Sequence, residues 1–164
     1  TFLLFVSTQT FADQTIVVLD MKYVLNNSKA GKEAQAQLKK KLENDSKKFI
    51  EIEKKLKKEE RDLLKKKNVL SKEDYKKKSD LLRKKVIEYQ SERRTSLDKI
   101  GKQRATAKTT LLKKLNPIIE NYINENNISL VMDKKNMIGG LDKYNITEVI
   151  VKKLNKELPS LKLE

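Results

Sequence analysis

The chain has no cysteine, no histidine and no tryptophan, and only two prolines and four glycines in 164 residues. Without Cys and His it lacks a thiol nucleophile, an imidazole base and the usual zinc ligands. No disulfide can hold the fold, which leaves the redox compartment open. The remaining polar residues form no nucleophile–base pair and no metal-ligand cluster. The expectation is therefore a binding protein and not an enzyme, with no catalytic residue, metal or cofactor. Only 37% of residues are hydrophobic and 5% aromatic. One chain can fill only a small core, and an elongated chain with a small core is a candidate for oligomerisation.

Gly and Pro are scarcest from Lys32 to about Asn116. Here Leu42, Phe49, Leu56, Leu63 and Leu70 recur every seven residues, with Leu38 and Ile52 four residues before Leu42 and Leu56. A sustained heptad predicts helices packed along a seam. The other seam positions, Asp45, Glu59 and Lys66, are charged. That predicts a slender arm and not a solid bundle. Ser71-Lys72-Glu73-Asp74 has the form of a capping box, so a return helix is expected from Ser71 after a tip at 68–74. Its seam is read as Leu82, Val86, Tyr89, Leu97, Ile100, Leu111, Leu115 and Ile118. Gly101 and Pro117 are its weak points, with a kink and a hinge expected at Pro117.

Charge divides the chain as sharply as pattern does. Residues 32–116 carry 29 of the 38 basic and 14 of the 23 acidic residues, so the whole net +15 lies on the arm. The two ends together are neutral. The plainer reading of such a run is a solvated helix surface. The functional reading is a positive field that attracts acidic chains or anionic lipid headgroups. Its candidates are Lys76, Lys77, Lys78, Lys84, Lys85, Arg93, Arg94 and Arg104. Nucleic acid is the rival partner, since the pI is about 9.8. Yet the arm aromatics Phe49, Tyr75 and Tyr89 fall mostly on the seam, and no recognition motif accompanies them. Nucleic-acid binding is not the expectation.

The ends read as the body. Residues 1–12 resemble the tail of a secretory signal peptide, with Thr10 and Ala12 at −3 and −1 of a cleavage site before Asp13. Thr15–Leu19 is a β-branched strand run, followed by Asp20 as helix N-cap. Lys29–Lys32 is read as a break, loosened by Gly31. Ile128–Met132 is a second strand, and Met137–Ile138 begins a third that ends at Gly139-Gly140. Asn145–Leu158 is an amphipathic helix with Ile146, Val149, Ile150 and Leu154 inward and Thr147 as N-cap. Asp20 and Asp133 are read as cap and turn, not as paired acids. The expected architecture is α+β, mostly α. Residues 13–31 and 117–164 form a small β-containing body, and 32–116 form an antiparallel coiled-coil hairpin. The apolar strand residues Val17, Val18, Leu19, Leu130 and Val131 are the candidates for oligomerisation.

Residues 15–38 (TIVVLDMKYVLNNSKAGKEAQAQL) and 125–155 (ENNISLVMDKKNMIGG…NITEVIVKKLN) resemble the two ends of the Skp/OmpH family of periplasmic chaperones. The strand followed by Asp, the S-x-A-G-K junction, the N-I-x-L-V-x-D strand and the closing I-T-x-x-x-I-x-K-L-N helix carry the likeness. The resemblance implies a homotrimer whose strands form a small barrel, with three hairpins enclosing a cavity. There, without ATP, unfolded outer-membrane proteins are held in the periplasm. It also implies an arm site for lipopolysaccharide, loosely matched by Lys84-Lys85, Arg93-Arg94 and Arg104. The competing reading is a basic coiled-coil structural or nucleic-acid-binding protein.

Overall fold

Thr15–Leu19 forms strand β1 in the computed structural model, which describes residues 14–163. The expected leader over 1–12 lies outside the described residues. Asp20 then caps helix α1 (Met21–Asn27), its carboxylate accepting from the Tyr23 N–H at 2.7 Å. Helix α2 (Lys29–Lys65) and helix α3 (Lys72–Glu125) make the hairpin. Strand β2 (Ile128–Asp133) follows and pairs in parallel with β1, Ile16 opposite Leu130 and Val18 opposite Met132. Single-turn 3-10 helices at Lys134–Asn136 and Asp142–Tyr144 lead into helix α4 (Thr147–Glu157). Pro159 stands two residues past its end, where it prevents continuation.

The expected break at Lys29–Lys32 is not there. Ser28 alone separates α1 from α2, and it serves both helices. Its N–H donates to the Val24 carbonyl at 3.1 Å, closing α1, and its hydroxyl accepts from the Gly31 N–H at 3.2 Å, opening α2. The serine is fully buried. This one-residue corner presses the Leu25 carbonyl onto Gly31, where a Cβ would lie 1.9 Å from that oxygen. Gly31 therefore permits a close approach and does not loosen a joint.

The third strand is also absent. Among the described residues Met137–Ile138 pairs with no strand, and Ile138 is fully exposed. The outer edge of β1 is instead met by Asn145 in a single bridge, with the Ile146 N–H donating to the Val18 carbonyl at 2.9 Å. In α4, Thr147 is not the cap but the first helical residue, and it is buried. The Asn145 side chain does the capping, accepting from the Thr147 N–H at 3.1 Å and from its hydroxyl at 2.6 Å. Freed of that task, the Thr147 hydroxyl accepts from the Asp20 N–H at 2.9 Å. Val149 points outward and Val151 is buried in its place.

The core gathers both ends of the chain around the root of α3. Val17, Leu19, Val24, Leu111, Leu115, Ile118, Ile150 and Leu154 pack together there. Asn155 accepts from the first N–H of α2, at Lys29, at 2.6 Å. The C-terminal tail is strapped along α2: Leu161 donates to Glu33 and accepts from Gln37, which also accepts from Leu163. Pro117 lies between buried Leu115 and Ile118, inside the stretch of α3 already seated on the body, and α3 runs through it as one helix. Asn127, just past the end of α3, takes the left-handed φ of 48° that asparagine tolerates better than most residues.

Beyond Leu38 the hairpin leaves the body and extends about 40 Å to its tip. Helix α2 ends at Lys65 and not at Asn68; the tip is a turn over 66–70. Ser71 caps α3 as its box predicts, accepting from the Asp74 N–H at 3.0 Å. Gly101 sits exposed in the middle of α3 with open space where a Cβ would go. Gly101→Ala should therefore stabilise the arm by about 1 kcal/mol. Slower amide exchange over residues flanking 101, with the body unchanged, is the expected record; unchanged exchange there would show that the glycine does not limit the arm.

Candidate functional site

The arm is the part of the molecule with least core and most charge, and its seam is built in two grades. Near the body Leu38, Phe49, Ile100 and Ala107 are buried. Past Phe49 no seam residue is: Leu56, Leu63, Tyr75, Leu82, Val86 and Tyr89 are all only half-covered. Phe49 and Tyr89 meet edge-on with ring centroids 6.0 Å apart, marking the boundary between the two grades. Phe49, Tyr75 and Tyr89 thus stand on the seam, as expected.

Polar groups interrupt the seam at mid-length. Asp45, at a seam position on α2, accepts from the Ser96 hydroxyl at 2.5 Å and lies 3.7 Å from Lys41. Ser96 takes the place expected for Leu97, and Leu97 is half exposed. Leu42 is likewise turned off the seam and 43% exposed. Beside them Glu53 pairs with Lys57 at 2.6 Å. Hydrogen bonding to Lys57 holds the Glu53 carboxyl below its ordinary range and raises the Lys57 ammonium, with Tyr89 and Arg93 adding to the effect on Glu53.

The two faces flanking this seam differ. On one face the helices are tied by ion pairs, Lys48–Glu92 at 3.3 Å and Lys85–Glu59 at 2.7 Å. Its shallow depressions are lined by charged and hydroxyl groups such as Lys41, Glu92, Thr95 and Lys99 near the body, and by Asp62, Lys66 and Lys78 together with Leu81 near the tip. On the other face three clefts follow one another from root to tip, with volumes of about 880, 160 and 490 Å³. The first two share Leu42, and the last two share Glu53 and Tyr89.

The expected basic residues do not converge. Lys85 is on the ion-paired face, Arg93 and Arg104 line the clefts of the opposite face, and Lys84 and Arg94 border neither. The five do not form one anion site in this chain. Lys77 is paired with Glu73 at 2.8 Å, while Lys76, Lys78 and Lys84 are exposed. Sequence reading missed Ile50 and Leu64, apolar one step off the heptad, and placed Leu97 in the seam; all three are exposed beside the clefts.

In the body, Val17, Val18 and Leu19 are spent on the chain's own core, while Leu130 is 50% exposed. It shares the outer face of the sheet with exposed Ile16 and Met132. Among the described residues the far edge of β2 has no strand partner. Asp20 and Asp133 are used locally, the latter accepting from the Lys135 N–H at 3.2 Å. No helix among the described residues is long and apolar enough to cross a membrane.

The sequence model of the family described as Outer membrane protein (OmpH-like) matches residues 15–154. No curated protein matches the chain. Among solved structures, the crystal structure of a candidate OmpH-like outer membrane chaperone from Caulobacter crescentus CB15 is similar with a TM-score of 0.84. That likeness covers 99% of this chain and 96% of the other at 18% identity, and it shows the shared fold.

Proposed function

The chain belongs to the OmpH-like outer membrane protein family, and from that premise we propose that it is a periplasmic holdase chaperone for unfolded outer-membrane proteins. It works as a homotrimer, without ATP, by containment between three arms. The observation that carries this reading is the arm itself. A two-helix hairpin projects about 40 Å from a small body, keeps half its seam accessible and bears most of the excess charge. Such an arm is poorly suited to stabilise its own chain, and well suited to surround another. The exposed sheet face at Ile16, Leu130 and Met132 and the open edge of β2 support association of copies through the body. The positive field of the arms speeds capture of acidic clients and gives an affinity for lipopolysaccharide or an anionic membrane surface.

The test is capture of an unfolded outer-membrane barrel protein diluted from denaturant. The protein should suppress its aggregation with no nucleotide present, and a wild type that does not would sink the reading. Reversing Lys76, Lys78 and Lys84 to Glu leaves the paired Lys77 and Lys85 in place. It should slow capture of an acidic client on the order of tenfold at low salt. Salt should slow the wild type toward the same rate. A capture rate indifferent to both changes would remove the role given to charge.

A further inference from the structure

The arm is two-sided, and its sides are not equivalent. The ion-paired face closes the hairpin with Lys48–Glu92 and Lys85–Glu59. The other face is a groove floored by seam residues and flanked by Leu42, Ile50, Leu64 and Leu97, which are between 43% and 57% exposed. Most of the apolar area left in water beside the seam lies along this flank, with these four residues against Leu81 on the ion-paired flank.

The edges of the groove are mostly basic. Lys39 and Arg104 stand at its root, Arg93 at its middle and Arg83 toward the tip, with Lys39 and Arg83 each 3.9 Å from an acid of its own helix. Of the acids that reach it, Asp45, Glu53 and Asp133 are already engaged by Lys41, Lys57 and Lys135. Glu60 is left to oppose the cations. A second arm would bring its own excess positive charge to this edge, so another copy is a poor occupant. From Leu42 to Leu64 the groove is about 33 Å long, the span of about ten residues of extended chain.

We infer that this groove holds the client: an extended apolar segment of an unfolded polypeptide, about ten residues long, flanked by acidic side chains. The ion-paired face stays turned away from it. This inference rests on the holdase reading above and adds which surface of each arm does the holding. Apolar side chains of the segment fill the half-open distal seam between Leu56, Leu63, Leu82 and Val86, and its acidic flanks meet the basic rim.

Two matched variants test it in the full-length protein. Ile50→Gln with Leu97→Gln removes apolar groups that are 49% and 51% exposed at the groove. Leu81→Gln with Ile87→Gln removes groups that are 57% and 59% exposed and lie outside it. Against an unfolded outer-membrane barrel protein, the groove pair should raise Kd at least about tenfold and the control pair less than about twofold, about 1.4 kcal/mol separating the tenfold case from none. A photoreactive residue at Leu64 in otherwise unchanged protein should crosslink to the client, and one at Leu81 should not. Equal effects of the two pairs, or crosslinks at Leu81 alone, overturn the inference while leaving the holdase reading standing. A wild type that fails to bind the unfolded protein overturns both. Loss of binding to vesicles of anionic phospholipid, with polypeptide binding kept, would make the occupant an acyl chain and overturn it. A changed sedimentation coefficient of the groove pair would make the groove an interface between copies, with the same consequence.

Discussion

Gly31→Ala should be among the most damaging single substitutions outside the apolar core, costing about 3 kcal/mol or more and lowering the melting midpoint by roughly 10 °C. The new methyl would lie 1.9 Å from a backbone oxygen, that of Leu25, and 2.9 Å from the Ser28 hydroxyl. A carbonyl cannot swing aside as a flexible side chain can. To admit the methyl, α1 must move off α2, and α1 is held at its other end by Asp20, whose N–H is bonded to Thr147. The displacement would also pull Val24 out of the core and uncover Ser28, which is fully buried. Thermal unfolding followed by circular dichroism checks this. A midpoint within about 2 °C of the wild type would show that the corner relaxes cheaply. Gly101→Ala, the same chemical change in open space, should move stability the other way.

Leu130→Asp should dissociate the proposed trimer and leave each chain folded. Half of Leu130 is exposed in the single chain, so a carboxylate there can stay hydrated once copies separate. Inside an assembly it would be buried without a partner, at a cost of several kcal/mol for each copy. Dissociation constants should rise at least about a hundredfold, since each tenfold change needs only about 1.4 kcal/mol. Val18→Asp would be a poorer probe because Val18 is already buried by its own chain, and its loss would damage the fold first. Sedimentation velocity with circular dichroism separates the outcomes. A wild type that sediments as a monomer ends the trimer proposal. A Leu130→Asp protein that remains trimeric ends the assignment of this face.

Sequence and structure agree best where local chemistry decides. The Ser71 box places the start of α3 at Lys72, and Asp20 caps α1, because each needs only residues three positions away. They part where a distant contact decides. Gly31 looks like a loosened joint until the carbonyl of Leu25 is seen against it. Met137–Ile138 has strand propensity, but a strand exists only when paired, and among the described residues no strand pairs with it. The arm shows a subtler case. Seven residues fall about 20° short of two full helical turns, so a strict heptad drifts around a straight helix. Leu42, two heptads before Leu56, has therefore rotated off the seam onto the groove. Leu97 is displaced for a different reason. Asp45 faces that level from α2, and Ser96 can donate to it where a leucine cannot. The heptad thus announces the seam of the arm, but which flank stays more apolar depends on that drift and on polar pairs between helices.

The clasp between the two ends of the chain has a consequence for how the protein comes into being. The Asp20 N–H reaches Thr147 across 127 positions, Lys29 reaches Asn155 across 126, and β1 has no neighbour until β2 arrives. The hairpin tip, by contrast, closes between residues a few positions apart. During vectorial emergence, amino terminus first, the arm can zip up from its tip while β1 waits as an unpaired apolar strand. The body closes only when α4 is free to reach it. Until then the nascent protein carries the same liability as an unfolded strand-rich protein, a bare strand edge in search of a partner. Completion is set by the segment from β2 to α4, so a message truncated before Thr147 yields an arm with nothing to hold it.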